Sequence, residues 1–315
     1  MSATLPSIGI FGAGAVGCFY GALLAQAGHA VTLIGRPALV ESVTAHGLQL
    51  ETAAGIATVA MQASTDPAAL AAADWVLCCV KSADTEMAGQ ALQPHLKRGA
   101  VVLSFQNGVD NAPRLQAVLG QPVIPAVLYV AAGMLGANHV KHFGRNEIVL
   151  GAAPSSGAIA AALNAAGIAT RVSERVLEAL WEKLITNCAY NGISAVAQLP
   201  YGRMVQAPGV ADFMTDIVAE CVAVANAAGV AINASIIEPI RALAATMPQQ
   251  LSSTARDLER GRHTEIDYLN GYVVQRGAAL GIATPANRAV YAMVKLLESR
   301  FTPDASAPVP AERPS

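Results

Sequence analysis

Three glycines, Gly12, Gly14 and Gly17, stand in the order G-x-G-x-x-G within the stretch IGIFGAGAVG. An apolar run, Ile8, Ile10 and Phe11, leads in, and an Ala-rich run from Phe19 to Ala27 leads out. That pattern predicts a strand, a tight turn and a helix. Gly12 permits the turn, Gly14 lets a pyrophosphate approach the backbone, and Gly17 lets the helix lie close to the strand. The N–H groups along Gly12-Ala13-Gly14-Ala15-Val16-Gly17, with the positive end of the helix dipole, would face the phosphates. The motif therefore predicts a dinucleotide site, a merely tight turn being the plain alternative. A second strand, Ala30 to Ile34, ends in Gly35-Arg36-Pro37, with no carboxylate before Glu41. A carboxylate there would grip a ribose 2′-hydroxyl, whereas a guanidinium pairs with a 2′-phosphate through two parallel hydrogen bonds. Arg36 thus points to NADPH rather than NADH, unless it is only a solvated loop charge.

Two further polar groups follow apolar runs. DWVLCCV (74–80) reads as a strand buried on both faces and leads into Lys81-Ser82; Ala100 to Phe105 leads into Gln106-Asn107-Gly108. The carboxyl ends of such strands are where open α/β sheets bind ligands. Lys81 could contact cofactor phosphate or ribose, or could be a surface lysine. Asn107 can hydrogen-bond an amide or carbonyl, or could simply make an Asn-Gly turn. Lys183, Asn187 and Asn191 lie four residues apart within the helical stretch Glu174 to Val196. Over eight residues a helix drifts only about 80°, so the three share one face. With Leu184, Ile185, Cys188 and Ala189 beside them, little of that helix is left for solvent, and a buried polar stripe needs partners. Glu265 follows Thr264, which reads as an N-cap with Asp267 at the N3 position; capping and the helix dipole alone would account for Glu265. Ser252-Ser253-Thr254 reads as a polar loop. His139 and His142 are three apart but gather no further ligands, so no metal site is expected.

The elements that must position these groups alternate between strand and helix up to about residue 170, which implies a doubly wound sheet. Asp66-Pro67 opens a helix, and Val123–Val130, Gly133–His142 and Glu147–Leu150 read as strand-like segments. From Glu174 onward the patterns are helical and long. The fold class expected is α/β: an N-terminal Rossmann-type doubly wound sheet over 1–172, followed by an all-α domain over 173–301. A tail at 302–315, rich in Pro, Ala and charge, is expected to be disordered.

The 315 residues are 53% hydrophobic and 13% charged, a balance that raises the question of a membrane span. The longest stretch that could suggest a span, Ile217 to Ile237, carries Glu220, Asn226, Gly229 and Asn233, so it reads as a buried helix, a turn and a further segment. No export signal is read at the N-terminus, which suggests a cytoplasmic protein. Five cysteines without C-x-x-C spacing argue against a disulfide framework. A net charge of −2 gives no reason to expect nucleic acid or an anionic membrane as partner.

Five stretches together carry a family resemblance: GAGAVG near the start, VKS after CCV, QNG after VLSF, WEKLITNCAYN, and SS-TARDLERGRHTEIDYLNG. In this order the chain resembles the ketopantoate reductase family over nearly all its length except the tail. The resemblance implies NADPH-dependent reduction of a 2-keto acid, ketopantoate, to D-pantoate, a step towards pantothenate and coenzyme A. It implies that Lys183 protonates the ketone oxygen and that Glu265 is an active-site carboxylate also near the cofactor. Asn187, Asn191 and Ser253 would hold substrate, and Asn107 would stand near both nicotinamide and substrate. Gly12, Gly14, Gly17, Arg36 and Lys81 would contact the cofactor. One departure is T-A-R before Asp257, where many members carry Gln, a difference at the substrate rim. A homodimer follows by analogy only. Two other readings stand beside it: a paralogue acting on another 2-keto acid, which the same residues fit, and a dinucleotide-binding sensor without turnover, which would lack a proton donor and against which Lys183 argues.

Overall fold

The computed structural model describes residues 5–301, so the tail expected at 302–315 lies outside the described residues. The chain forms two compact units divided between Leu184 and Ile185. That division falls inside the helix Val176–Ala197, whereas the sequence pattern changes character at 172/173.

Among its described residues the first unit has ten strands: β1 (Ile8–Phe11), β2 (Val31–Ile34), β3 (Leu48–Thr52), β4 (Gly55–Val59), β5 (Gln62–Ser64), β6 (Trp75–Cys78), β7 (Val101–Ser104), β8 (Val123–Met134), β9 (His139–Gly151) and β10 (Ala169–Ser173). Their order is β4-β3-β9-β8-β7-β6-β1-β2-β5, with β10 beside β9. All pairs are parallel except β3–β4 and β8–β9. Strands β1 and β6 are short and apolar because helices cover both faces. On one face Phe19, Tyr20 and Leu24 of the helix Ala15–Gln26 pack with Ile10, Leu33 and Leu103. On the other, Leu92 and Leu115, from the helices Thr85–Leu92 and Asn111–Leu119, pack with Val76 and Val102. The chain places β2 on one side of β1 and β6 on the other, so strand order reverses there, and the crevice beyond their carboxyl ends is the ligand position of such sheets.

Two expectations need correction. The segments read separately between 123 and 150 are two long strands, because the β8–β9 ladder runs on through a bulge near Val130–Ala132 and turns after Met134. Asp66 does act as an N-cap, accepting from the Ala68 N–H at 2.9 Å, but the element it opens is a single 3-10 turn, Pro67–Leu70.

The second unit is helical, with no strand among its described residues. Its helices include Val210–Ala227, Ile237–Thr246, Ser253–Glu259, Asn270–Ala279 and Pro285–Glu298. Ala195, Leu258, Ile266 and Val294 form a core there. Glu220 caps the last long helix, accepting from the N–H groups of Ala286 (2.7 Å) and Asn287 (2.9 Å). The apolar stretch 217–237 resolves into the end of one helix and a turn, and among the described residues no helix is long and apolar enough to cross a membrane.

Candidate active site

The glycine turn has the form its sequence predicts. Gly12 sits at φ +99°, and a Cβ there would stand 2.7 Å from the Val80 nitrogen, so both conformation and space require glycine. Gly17 could not carry a Cβ without meeting the Gly12 carbonyl oxygen at 2.5 Å. Gly14 is different: it is exposed, and a Cβ there would meet none of the described residues within 4 Å. Gly14 is also the N-cap of the helix Ala15–Gln26, whose first turn, Ala15-Val16-Gly17, is uncharged. Its first N–H groups have no partner within the helix and point outwards with the positive end of the dipole. The Ala13 N–H is used internally, donating to the Ile34 carbonyl at 2.9 Å, and the Gly12 N–H does the same at 3.1 Å. These two bonds lock the turn to the end of β2. Gly35 packs there too, its Cβ position 3.0 Å from the Ala13 methyl. Arg36 follows, exposed, as N-cap of the helix Pro37–His46. The cradle therefore fits a dinucleotide.

Lys81 is exposed at the end of β6, one residue before the 3-10 turn Ser82–Asp84. Asn107 is half-buried beyond β7. The structure brings Asn107 and Lys183 together: the Lys183 ammonium donates to Asn107 Oδ1 at 2.8 Å and to the Leu128 carbonyl of β8 at 2.5 Å. Two neutral oxygens thus aim the cation. Burial pushes the thiols of Cys18 and Cys78, in the same unit, up to about 12, so neither is a ready nucleophile.

In the second unit, Asn191 is buried, its Oδ1 accepting from the Tyr201 hydroxyl at 3.2 Å and its carbonyl from Ser252 Oγ at 3.0 Å. Asn187 is half-buried one turn earlier on the same helix. The polar stripe is therefore not a solvated face at its Asn191 end. The loop expected at Ser252-Ser253-Thr254 is instead a helix start. Ser252 caps Ser253–Glu259, accepting from the Ala255 N–H at 2.9 Å, which leaves Ser253 exposed at the first helical position. The cap expected at Thr264 also changes form: Thr264 Oγ1 accepts from the Ile266 N–H, two residues on, and opens a 3-10 turn, Ile266–Tyr268, that has Glu265 as its N-cap. Asp267 faces away from any capping box and accepts from Tyr291 (2.8 Å) and Lys295 (3.0 Å). His139 pairs with Glu51 at 2.9 Å, and His142 bonds the Arg145 carbonyl at 2.6 Å.

Sequence reading passed over two features of this site. One is the Leu128 carbonyl, a backbone acceptor with no side-chain signature. The other is a set of buried polar residues behind Asn107, including Ser82, Thr85 and Asn111. Their hint in the sequence is uncharged polar side chains within turns of otherwise apolar helices.

A largely parallel sheet with a glycine turn at its switch point defines a Rossmann-type nucleotide-binding fold, with a lysine held by an asparagine just beyond a neighbouring strand. Residues 8–155 match the family Ketopantoate reductase PanE/ApbA, and residues 175–298 match Ketopantoate reductase PanE/ApbA C terminal. The chain is 34% identical over 299 residues to a 2-dehydropantoate 2-reductase of Halobacterium salinarum, covering 91% of this chain and 97% of that one. It is 51% identical to the PanE/ApbA family ketopantoate reductase structure from Ralstonia eutropha JMP134, at a TM-score of 0.91 over 94% of this chain and 99% of that one. A D-mandelate dehydrogenase structure shares the fold at 23% identity, with a TM-score of 0.88 over 94% and 99% of the two chains. The chain belongs to the ketopantoate reductase family.

Proposed function

We propose that this protein reduces ketopantoate to D-pantoate with NADPH, using Lys183 as proton donor. The observation that carries the reading is the Lys183 ammonium held on Asn107 Oδ1 and the Leu128 carbonyl, beside the strand ends that form the dinucleotide cradle. Relatives named 2-dehydropantoate 2-reductase support the choice of substrate. The bound reduced dinucleotide supplies hydride to the C2 carbonyl carbon. The N–H groups around Gly14 hold the pyrophosphate, Arg36 the 2′-phosphate, and Lys81 a neighbouring phosphate or ribose oxygen. As C2 accepts hydride, the carbonyl electron pair moves onto oxygen. The Lys183 ammonium stabilises that charge and transfers a proton to it, then recovers a proton from solvent. Asn187, Asn191 and Ser253 are assigned to the substrate's carboxylate and hydroxyl groups, and Glu265 to the reacting end of the site.

The test is loss of NADPH absorbance with ketopantoate, run beside a panel of other 2-keto acids and an NADH control. Selective turnover of ketopantoate with NADPH is expected. Faster turnover of another acid would replace the substrate, and nucleotide binding with silence across the panel would replace the enzyme by a sensor.

A further inference from the structure

Behind Asn107 lies a buried polar knot, joined through Asn107 to the positions assigned to cofactor and substrate. The Asn107 carbonyl accepts from Asn111 Nδ2 at 2.5 Å and from Ser82 Oγ at 2.9 Å, which fills both of its lone pairs. Asn111 Nδ2 also donates to Ser82 Oγ at 3.1 Å. The other end of the Asn111 amide is fixed as firmly: Oδ1 accepts from Thr85 Oγ1 at 3.0 Å and from Arg114 at 3.3 Å. An amide flip would set oxygen against oxygen at Asn107 and nitrogen against a guanidinium at Arg114. Arg114 is held in turn by Glu86 through two bonds of 2.7 and 2.6 Å, and it donates to the Ser82 carbonyl at 3.0 Å. Gln106 donates to Thr85 Oγ1 at 2.8 Å and accepts from Ser104. Ser82, Thr85, Ser104, Gln106 and Asn111 are all buried.

Asn107 needs such support. It precedes Gly108, which sits at φ +102°, so the loop after β7 has a glycine hinge next to the residue that holds Lys183. The knot removes that freedom from one side. We propose that Asn111 is a positioning residue for the reduction: through the Asn107 carbonyl it fixes the Asn107 side chain and hence the aim of the Lys183 ammonium. The proposal rests on the roles given above to Lys183 and Asn107. A proton donor misplaced by 1 Å loses rate without losing binding, which gives the proposal its signature.

The experiment is a double-mutant cycle on the full chain, read as kcat and KM with the 2-keto acid the wild type reduces best. Asn111→Ala is expected to lower kcat about tenfold, with KM for keto acid and NADPH moved less than threefold. In the Asn107→Ala background the same change is expected to cost less than twofold more. Independently of turnover, amide hydrogen exchange across 105–110 in the nucleotide-free protein is expected to quicken in Asn111→Ala. Should that variant fail to fold, Ser82→Ala removes the other donor to the same carbonyl and is expected to act in the same direction, less strongly. Effects that multiply across the cycle, or unchanged exchange at 105–110, would overturn the positioning role while leaving the reductase reading intact. A wild type that reduces no 2-keto acid would overturn both.

Discussion

Lys183 has its charge shared between two carbonyl oxygens, and this arrangement separates its task from that of binding. In the proposed reaction, removing the ammonium would take away charge stabilisation and the proton together, both needed only as the oxygen becomes an alkoxide. Lys183→Ala is expected to lower kcat by about a hundredfold or more, the usual worth of a positioned general acid, with the NADPH dissociation constant little changed. Steady-state kinetics with fluorescence titration of NADPH checks both halves, and near-normal turnover would remove Lys183 from the mechanism. Arg36 makes the complementary case. It is exposed at the end of β2, and in the proposed binding mode it meets the 2′-phosphate that alone distinguishes the two nicotinamide dinucleotides. Arg36→Ala is expected to weaken NADPH by tenfold or more, the scale of a lost charged hydrogen bond, and NADH much less. Equal weakening in isothermal titrations would cancel the assignment. Both residues were visible in the sequence, since each is a polar group at a place where apolar pattern ends or repeats. Asn111 was not, because its partners Ser82 and Thr85 lie 29 and 26 residues away and meet it only when two helices pack.

At the level of elements, the turn between β1 and the helix Ala15–Gln26 allows binding to be separated from folding. A methyl at Gly17 would press on the Gly12 carbonyl oxygen, a backbone atom that cannot swing away, so the helix must shift. Gly17→Ala is expected to cost roughly 1–3 kcal/mol of stability, as overpacking does, and to weaken nucleotide binding as well. Gly14 has φ −89° and open space around its Cβ position. Gly14→Ala should therefore leave denaturant unfolding within about 0.5 kcal/mol of wild type, as for an unstrained surface change, while weakening the dinucleotide by blocking its approach. If Gly14→Ala binds NADPH as tightly as wild type, the pyrophosphate is not seated on this turn. The glycine motif was legible because three spacings must agree at once. Elsewhere local signals mark a boundary better than they mark what lies beyond it. Asp66, Ser252 and Thr264 all accept backbone N–H groups as their types suggest. Packing decides which element each of them opens: a 3-10 turn after Asp66, a seven-residue α-helix after Ser252, and another 3-10 turn after Thr264, whose hydroxyl is held by buried Glu298 at 2.6 Å. Long-range pairing also had no local signature at β9, which meets β3 and β10 along one edge and β8 along the other.

For the molecule as a whole, the cysteines give a handle on stability. Cys18 and Cys78 are fully buried in apolar surroundings, and burial pushes each thiol up to about 12 from an ordinary value of 9.0. Well below pH 9 both folded and unfolded chains keep these protons, and the thiols contribute no pH dependence. Between pH 9 and 12 the unfolded chain has released them while the folded chain retains them, so unfolding is favoured as pH rises. Each such thiol then withdraws about 1.4 kcal/mol of stability per pH unit across that window. Other groups titrate there too, which is why the comparison must be internal. In Cys18→Ala the thiol is gone and the small volume lost costs the same at every pH. The stability of wild type relative to Cys18→Ala is therefore expected to be nearly constant from pH 7 to 8, to begin falling around pH 9, and above it to approach a loss of about 1.4 kcal/mol for each further unit. Urea unfolding of both proteins at half-unit steps up to pH 11 measures the difference directly. Parallel curves would mean that the folded protein lets Cys18 ionise as readily as the unfolded chain does, and that the face of the sheet beneath the glycine turn is wetter than its packing implies.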